Sequence, residues 1–296
     1  MTRITTVSTR THLPADCAAL AIENDRLMVA LAAESAERQI ARSVQERIFP
    51  AVRPVISGLD YFADWRPARC VRGDYIDYFE INGGNLGLAI GDVCGKGTPA
   101  ALLTSSLHSM IRALRFARSS SLKVLVRTID KLFAELCPDN CYASLFLSEY
   151  DPESGRLHYV NAGHEPPFVL RKSGGHFQTV FLESGGPVIG MLRDSEYREG
   201  VVTLRPGDML VAYTDGLCET ANAAGEEWGW PRFQETLEAC ADVQARDIVE
   251  GVLECAEVFA GGAPQRDDMT LWVGKVDEAV AETPHWREAA AELVAA

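Results

Sequence analysis

The sequence predicts an α+β fold, a layered sandwich of mainly antiparallel sheets with helices packed outside them. Three observations support this prediction. Strand patterns dominate from residue 58 onward, short turn sequences join several of them into hairpins, and helical segments form separate blocks instead of alternating with the strands. Because parallel strands need long crossovers, usually helical, these hairpin connections indicate antiparallel sheets.

The first predicted element is a long helix over residues 16–49, a stretch that lacks Gly and Pro and is rich in Ala, Glu, Arg and Leu. Leucines spaced by seven line its first half, which can therefore pair with a second copy of the chain. An apolar stripe at i, i+4 spacing, formed by Ile40, Val44 and Ile48, predicts that its second half docks on the following domain.

The other elements follow from apolar alternation and from helical periodicity. Hairpin turns are predicted after residues 81, 150 and 171, because Gly and Asn there accept positive φ. The predicted strands are 75–81, 86–93, 142–150, 156–162, 168–171, 177–181, 201–204, 209–213 and 269–276. The predicted helices are 98–117, 122–136, 232–241 and 245–260, with a further helical tail over 278–296.

Composition excludes several classes of function. A net charge of -14 with scattered basic residues predicts no nucleic-acid binding. The polar N-terminus and the lack of any run of roughly 18 apolar residues predict a cytoplasmic protein without membrane contact. The eight cysteines include no Cys-x-x-Cys pair, so neither a zinc site nor a disulfide framework is predicted.

Aspartates stand beside glycine or at strand ends in four short segments. Acidic residues at strand ends can converge on one rim of a layered sheet, where their like charges need a compensating cation. Hard oxygen ligands favour Mg²⁺ or Mn²⁺. Any one segment alone is more often an ordinary surface turn, since Asp-Gly is a common turn dipeptide. The segments are residues 72–77, 91–97, 213–216 and 266–270.

Together and in this order, the segments resemble the SpoIIE-like branch of the metal-dependent type 2C (PPM) serine/threonine protein phosphatases. The family wording runs Gly-Gly-Asp-Tyr-Tyr-Asp, Asp-Val-Ser-Gly-Lys-Gly, Asn-Ala-Gly-His, Pro-Gly-Asp, Tyr-Thr-Asp-Gly and Asp-Asp-Met-Thr. The corresponding residues here are 72–77, 92–97, 161–164, 206–208, 213–216 and 267–270. The resemblance covers residues 41–276.

The resemblance implies an αββα sandwich of two mainly antiparallel sheets, holding two divalent cations, Mn²⁺ or Mg²⁺, that activate water for attack on phosphorus. It implies that Asp92 bridges both cations and that Asp74 and the main-chain carbonyl of Val93 bind one of them. Asp215 and Asp267 bind the other, and Asp268 is the alternative to Asp267. It also implies three parts: an N-terminal helical linker or dimerisation segment (1–49), a PPM-type phosphatase domain (50–277) and the tail (278–296).

Three residues depart from the family wording without removing a ligand: Arg72 replaces Gly, Ile76 replaces Tyr and Cys94 replaces Ser. Arg69 and Arg72 can bind substrate phosphate through forked donors, or they are ordinary surface arginines. Cys94 either makes the site sensitive to oxidation or is an inert packed thiol.

Two further polar residues have competing interpretations. His164 is a candidate general acid, but the strand-to-turn character of residues 161–164 favours a structural role in tying down the loop. Lys96, between two glycines before a predicted helix, either steers phosphate or is solvated.

The resemblance implies a protein phosphatase whose substrate is a phosphorylated STAS-domain anti-sigma-factor antagonist in a bacterial partner-switching pathway. A catalytically inactive scaffold and a hydrolase of small phosphate esters are the alternatives. Retention of every implied ligand disfavours the scaffold, whereas the site chemistry does not separate the two kinds of ester.

Overall fold

A computed structural model describes residues 15–50, 52–81, 83–114, 121–138, 141–192 and 194–277; the predicted helical tail lies outside them. The helices are α1 (Ala15–Glu46), α2 (Thr98–Leu114), α3 (Leu122–Leu136), α4 (Asp215–Cys218), α5 (Gly229–Ala239) and α6 (Ala245–Ala260). The strands are β1 (Leu59–Arg66), β2 (Asp74–Ile81), β3 (Asn85–Val93), β4 (Ala143–Asp151), β5 (Arg156–Ala162), β6 (Phe168–Ser173), β7 (His176–Phe181), β8 (Gly185–Gly186), β9 (Gly200–Thr203), β10 (Met209–Tyr213) and β11 (Met269–Val276).

The strands form two sheets. Sheet A has the order β1-β11-β10-β6-β7, and sheet B has the order β2-β3-β4-β5-β8, with β9 also paired to β5. The pairings are antiparallel except for the short one between β5 and β8. Helices α2 and α3 pack on sheet B, and α5 and α6 pack on sheet A. The predicted αββα sandwich is thereby confirmed.

Apolar side chains fill the spaces between these layers. Between the sheets, Tyr61 of sheet A packs on Tyr78 of sheet B, with ring centroids 5.5 Å apart, and on Trp272 of its own sheet. On the outer face of sheet A, Tyr213 packs on Phe233 of α5 with centroids 4.9 Å apart. The sheets are therefore held face to face by large buried rings, which fixes how their edges meet.

The predicted elements agree closely with those observed. The β2–β3 hairpin turns through Gly83 and Gly84, whose φ angles of 83° and 110° favour glycine. Strands β1 and β8 and the one-turn helix α4 were missed, and α5 begins three residues earlier than predicted because Pro231 is tolerated in a first helical turn. Helix α2 is described to Leu114, so the rest of its predicted span lies outside the described residues.

Docking of α1 on the domain differs from the prediction. Ile40 and Val44 are 65% and 57% exposed, so the prediction that their stripe docks is wrong for both. Instead, the buried amide of Gln45 donates to the Arg72 carbonyl at 2.8 Å and accepts from the Arg72 backbone N–H at 2.9 Å. Phe49 is also buried. Apolar periodicity could not reveal this contact, because a polar side chain makes it.

Across the described segments of the chain, every helix is too short or too polar to cross a membrane.

Candidate metal centre

Strand register brings two of the predicted aspartates to one edge of sheet B. Asp74 is the first residue of β2 and Asp92 is the next-to-last residue of β3. The antiparallel register places them directly opposite each other. A hairpin of fixed register thus puts both carboxylates at the same sheet end.

The matching edge of sheet A carries the other predicted aspartates. Asp215 opens α4 two residues after β10, and Asp267 and Asp268 immediately precede β11. The neighbouring strands are joined beyond their ladder by a hydrogen bond from the Thr214 N–H to the Thr270 carbonyl (3.1 Å). The structure therefore brings all four sequence segments to adjoining edges of the sandwich.

Two threonine hydroxyls tie the edges together. Both Thr214 and Thr270 donate through Oγ1 to Oδ2 of Asp74, at 2.8 and 2.5 Å. All three residues are buried. Sequence reasoning missed these threonines, although each stands inside one of the motifs, because only tertiary packing brings their hydroxyls to Asp74.

Gly73 leaves space beside the end of β3. A Cβ placed on this residue would lie 3.2 Å from Oδ1 of Asp92 and 3.3 Å from the carbonyl oxygen of Val93. The predicted bridging carboxylate and the predicted main-chain ligand therefore face one small space. A side chain at position 73 would fill it, which gives a physical reason for glycine here.

The carboxylates repel one another where they meet. Burial, followed by the charges of Asp215, Asp267 and Asp268, raises the pKa of Asp92 to about 7, while Lys96 opposes this shift. Burial and the neighbouring carboxylates also raise the pKa of Asp74 well above its ordinary value. The same causes raise the pKa of Asp215. Such a cluster favours binding of a cation or of protons.

Asp267 and Asp268 have different partners. Asp268 is buried and accepts backbone N–H groups of Ala68 and Gly73, at 2.7 and 2.8 Å. Asp267 is partly exposed and pairs through Oδ2 with the Lys96 ammonium at 2.6 Å. Asp268 is thus occupied in holding the segment before β2, whereas Asp267 keeps a carboxylate that a competing cation can reach.

The donor set fits a hard divalent cation, because every predicted ligand is a carboxylate or carbonyl oxygen facing the same edge. Within the residues that the structure describes, no three Asp, Glu, His or Cys side chains already surround a common point at ligand distance. Lys96 partly neutralises the cluster, so cation binding would require Asp267 to exchange this partner.

The two predicted phosphate-binding arginines lie in different environments. Arg69 is exposed, and its Nη1 would lie 3.8 Å from a Cβ on Gly97, in the loop after β3. The Arg72 guanidinium is buried over the rings of Phe49 and Trp65, 3.5 and 4.3 Å from their centroids, and burial lowers its pKa to about 10. That Arg72 binds phosphate stays a prediction. The packing of its guanidinium on two aromatic rings does not favour it.

His164 lies behind the carboxylates. Asn161 binds both the N–H and the carbonyl of residue 164, which supports the structural role predicted for this turn. The His164 Nδ1 lies 2.8 Å from Oγ of Ser144, which accepts the Asp92 N–H at 3.2 Å. Burial lowers the pKa of His164 to about 4, so the ring is neutral near pH 7 and cannot serve as a general acid there.

Solved structures define the class to which this fold belongs. The SiaA PP2C domain of Pseudomonas aeruginosa matches with a TM-score of 0.73 and 23% identity, covering 84% of this chain and 99% of that domain. The catalytic domain of the serine/threonine protein phosphatase PstP, solved with two manganese ions, matches with a TM-score of 0.54 and 17% identity, covering 74% and 98%. The chain therefore has the PP2C-type fold.

Sequence comparison then gives the family. Residues 82–277, about two thirds of the chain, match the model for Stage II sporulation protein E, and the chain belongs to this SpoIIE family. Protein IcfG of Synechocystis is 30% identical over 263 residues, 79% of this chain and 40% of IcfG. Phosphoserine phosphatase RsbU of Bacillus subtilis is 29% identical over 220 residues, 74% of this chain and 64% of RsbU. The chain thus spans less than two thirds of these relatives.

Proposed function

We propose that this chain is a metal-dependent protein phosphatase that hydrolyses phosphoserine and phosphothreonine. The convergence of Asp74, Asp92, Asp215 and Asp267 at adjoining sheet edges is the observation that carries the proposal. Family membership and relatives named phosphoserine phosphatases, RsbU and RsbP of Bacillus subtilis, support it. Because a water would be the attacking group in this arrangement, no nucleophilic side chain is required.

Two divalent cations, Mn²⁺ or Mg²⁺, are proposed to bind here, where they would neutralise the phosphate oxygens and acidify an attacking water. Asp92 would bridge them, with Asp74 and the Val93 carbonyl on one side and Asp215 and Asp267 on the other. The hydroxyls of Thr214 and Thr270 would hold Asp74 in place. These two bonds fix the orientation of Asp74 before a cation arrives, which lowers the cost of binding.

Asp267 is preferred to Asp268 as a ligand because the latter already accepts two backbone N–H groups. Displacement of Lys96 by the cation would leave its ammonium, in the loop after β3, with the Arg266 carbonyl as its remaining partner. This ammonium and the exposed guanidinium of Arg69 could then bind the substrate phosphate.

We also propose a substrate and a partner for this chain. A phosphorylated STAS-domain anti-sigma-factor antagonist would be the protein substrate, as the SpoIIE-like resemblance suggests. A homodimer through α1 is supported by the exposure of Leu20, Leu27 and Leu31, at 69%, 54% and 59%. The division at residues 49 and 277, and the cytoplasmic location, stay predictions.

Phosphate release provides the test of this proposal. The substrates would be phosphoserine and phosphothreonine peptides, a phosphorylated STAS-domain protein and p-nitrophenyl phosphate, each with Mn²⁺, Mg²⁺ or chelator. We expect cation-dependent release, fastest from the phosphoprotein, and a loss on the order of 100-fold in Asp92→Asn. The matched control is Asp242→Asn, because Asp242 has an 88% exposed side chain and lies away from the site. Release from none of these substrates would favour a scaffold, and preference for the small ester would favour a small-molecule hydrolase.

A further inference from the structure

Three cysteine thiols that are far apart in sequence meet beside the candidate metal centre. Cys94 directly follows Val93 at the end of β3, Cys141 lies two residues before β4, and Cys137 follows α3. The Sγ atoms of Cys94 and Cys141 are 3.2 Å apart. All three thiols are reduced and partly exposed. The sequence predicted no disulfide framework, and it gave no sign that these residues meet.

The backbone holds Cys94 and Cys141 in this arrangement. The Cys94 N–H donates to the Tyr142 carbonyl at 2.9 Å, and the Tyr142 N–H donates to Cys94 Sγ at 3.1 Å. These contacts extend the β3–β4 ladder beyond its last pair, Val93 and Ala143. A disulfide S–S bond is about 2.05 Å long, so bond formation needs the sulfurs to close by roughly 1.2 Å. The two sulfurs are thus already close to bonding distance in the folded protein.

The Cys94 thiol is also accessible to a small oxidant. Cys94 lines a cavity of about 190 Å³ together with Asp92, Asp215, Ser144 and His164. A cavity of this size, lined by polar groups, accommodates molecules as small as water or a peroxide. An oxidant that enters the candidate site therefore reaches Cys94.

We propose that Cys94 and Cys141 form a reversible disulfide when the protein meets a peroxide, and that this bond weakens cation binding at the adjoining site. The second part rests on the proposed function. Val93, whose carbonyl is a proposed ligand, is bonded directly to Cys94. Metal–oxygen distances tolerate shifts of only about 0.2 Å, whereas the sulfurs must move much farther to bond.

The chemistry balances with a peroxide as the oxidant. Hydrogen peroxide converts the Cys94 thiol to a sulfenic acid and releases one water. The Cys141 sulfur then attacks the sulfenic sulfur, forming the S–S bond, and the displaced hydroxide takes the Cys141 proton and leaves as a second water. Burial, together with the neighbouring thiols, raises the pKa of Cys141 to about 12, so this thiol must lose its proton as it attacks, and the displaced hydroxide is the base that takes it.

Peptide mapping of the full chain tests the disulfide. After hydrogen peroxide treatment and thiol alkylation, we expect a linked peptide that joins Cys94 to Cys141 and that dithiothreitol separates. Cys141→Ser should abolish this link, while Cys255→Ser, which removes an exposed thiol on α6, should retain it. Recovery of both cysteines as alkylated thiols, or a link from Cys141 to Cys137 instead, would overturn the proposal.

Mn²⁺ titration of the same samples, after the peroxide has been removed, tests the coupling. We expect the oxidised wild type to bind Mn²⁺ at least fivefold more weakly than the reduced protein, with recovery after dithiothreitol and no such change in Cys141→Ser. A linked peptide with unchanged affinity would overturn the coupling. A linked peptide in a protein that binds no Mn²⁺ in either state would instead contradict the proposed function while leaving the disulfide established.

Discussion

The two sheet edges that meet at the candidate site are built differently. On sheet B, strand register sets Asp74 and Asp92 opposite each other, and Asp74 is 2% exposed and held by two hydroxyls. On sheet A, Asp215 and Asp267 stand outside the strands, and Asp267 pairs with Lys96 across the site. One edge is fixed by the fold, and the other can change its partners.

This difference determines where repulsion between carboxylates destabilises the folded protein. Ionised carboxylates held at a buried edge cannot move apart, so their repulsion persists unless a cation or protons bind. At the other edge, Lys96 relieves part of it. A site that is prepared for cations is therefore expected to lower the stability of the cation-free protein.

The largest predicted effect separates the two edges. In chelator at pH 8, Asp92→Asn should raise the free energy of unfolding by about 2–4 kcal/mol, because the pKa of Asp92 is raised to about 7 and ionisation opposes folding. The gain should shrink as pH falls below 7. Asp267→Asn should give no gain, since it removes the carboxylate that pairs with Lys96 and leaves that ammonium only the Arg266 carbonyl. Urea denaturation measures both, and equal gains would erase the distinction between the edges.

The clamp on Asp74 should have the next largest effect. Thr270→Val removes one hydroxyl donor from a buried carboxylate and should cost about 1.5–3 kcal/mol of stability. Thr236→Val is the control, because its hydroxyl donates only to the Arg232 carbonyl one turn earlier in α5, and it should change stability by less than about 0.5 kcal/mol. Chemical denaturation at pH 7 measures the stability of both variants. Similar losses of stability would mean that the hydroxyl bond to Asp74 does not stabilise the protein.

The stability of the protein should also depend on acid through protonation of His164. Its pKa falls from 6.5 to about 4 on folding, so the stability present above pH 6.5 is lost progressively as pH falls through 4. Between pH 7 and 5 this loss should amount to about 2 kcal/mol. His164→Gln should flatten this slope, whereas His176→Gln, at an exposed position, should not. Identical dependence of stability on pH in the two variants would show that His164 does not cause this loss.

The smallest predicted effect concerns the edge of sheet A, where Lys96 pairs with Asp267. Lys96→Met removes the cation that competes for Asp267, so Mn²⁺ affinity should rise by roughly two- to tenfold, as expected for loss of a partly exposed ion pair. Lys172→Met is the matched control, because its ammonium pairs with Asp242 away from the site. Weaker Mn²⁺ binding by Lys96→Met would show that Lys96 does not compete.

These edges also show how far the sequence could predict the molecule. The αββα fold and the β2–β3 hairpin were predictable because local patterns and turn residues determine them, and the motif order indicated the family. The partner of Gln45, the hydroxyl clamp of Thr214 and the proximity of Cys94 to Cys141 were not predictable. Each joins residues that only tertiary packing brings together, and none has a periodic signal.

Calorimetric titration with Mn²⁺ is the most direct test that the converging carboxylates hold two cations. We predict that the wild type binds two Mn²⁺ ions and that Asp215→Asn retains one, because the sheet-B edge survives in that variant. Asp92→Asn, which lacks the proposed bridge, should bind neither with comparable affinity, while Asp242→Asn should match the wild type. A wild type that binds no Mn²⁺, or an Asp92→Asn variant that binds two ions as tightly, would contradict the account.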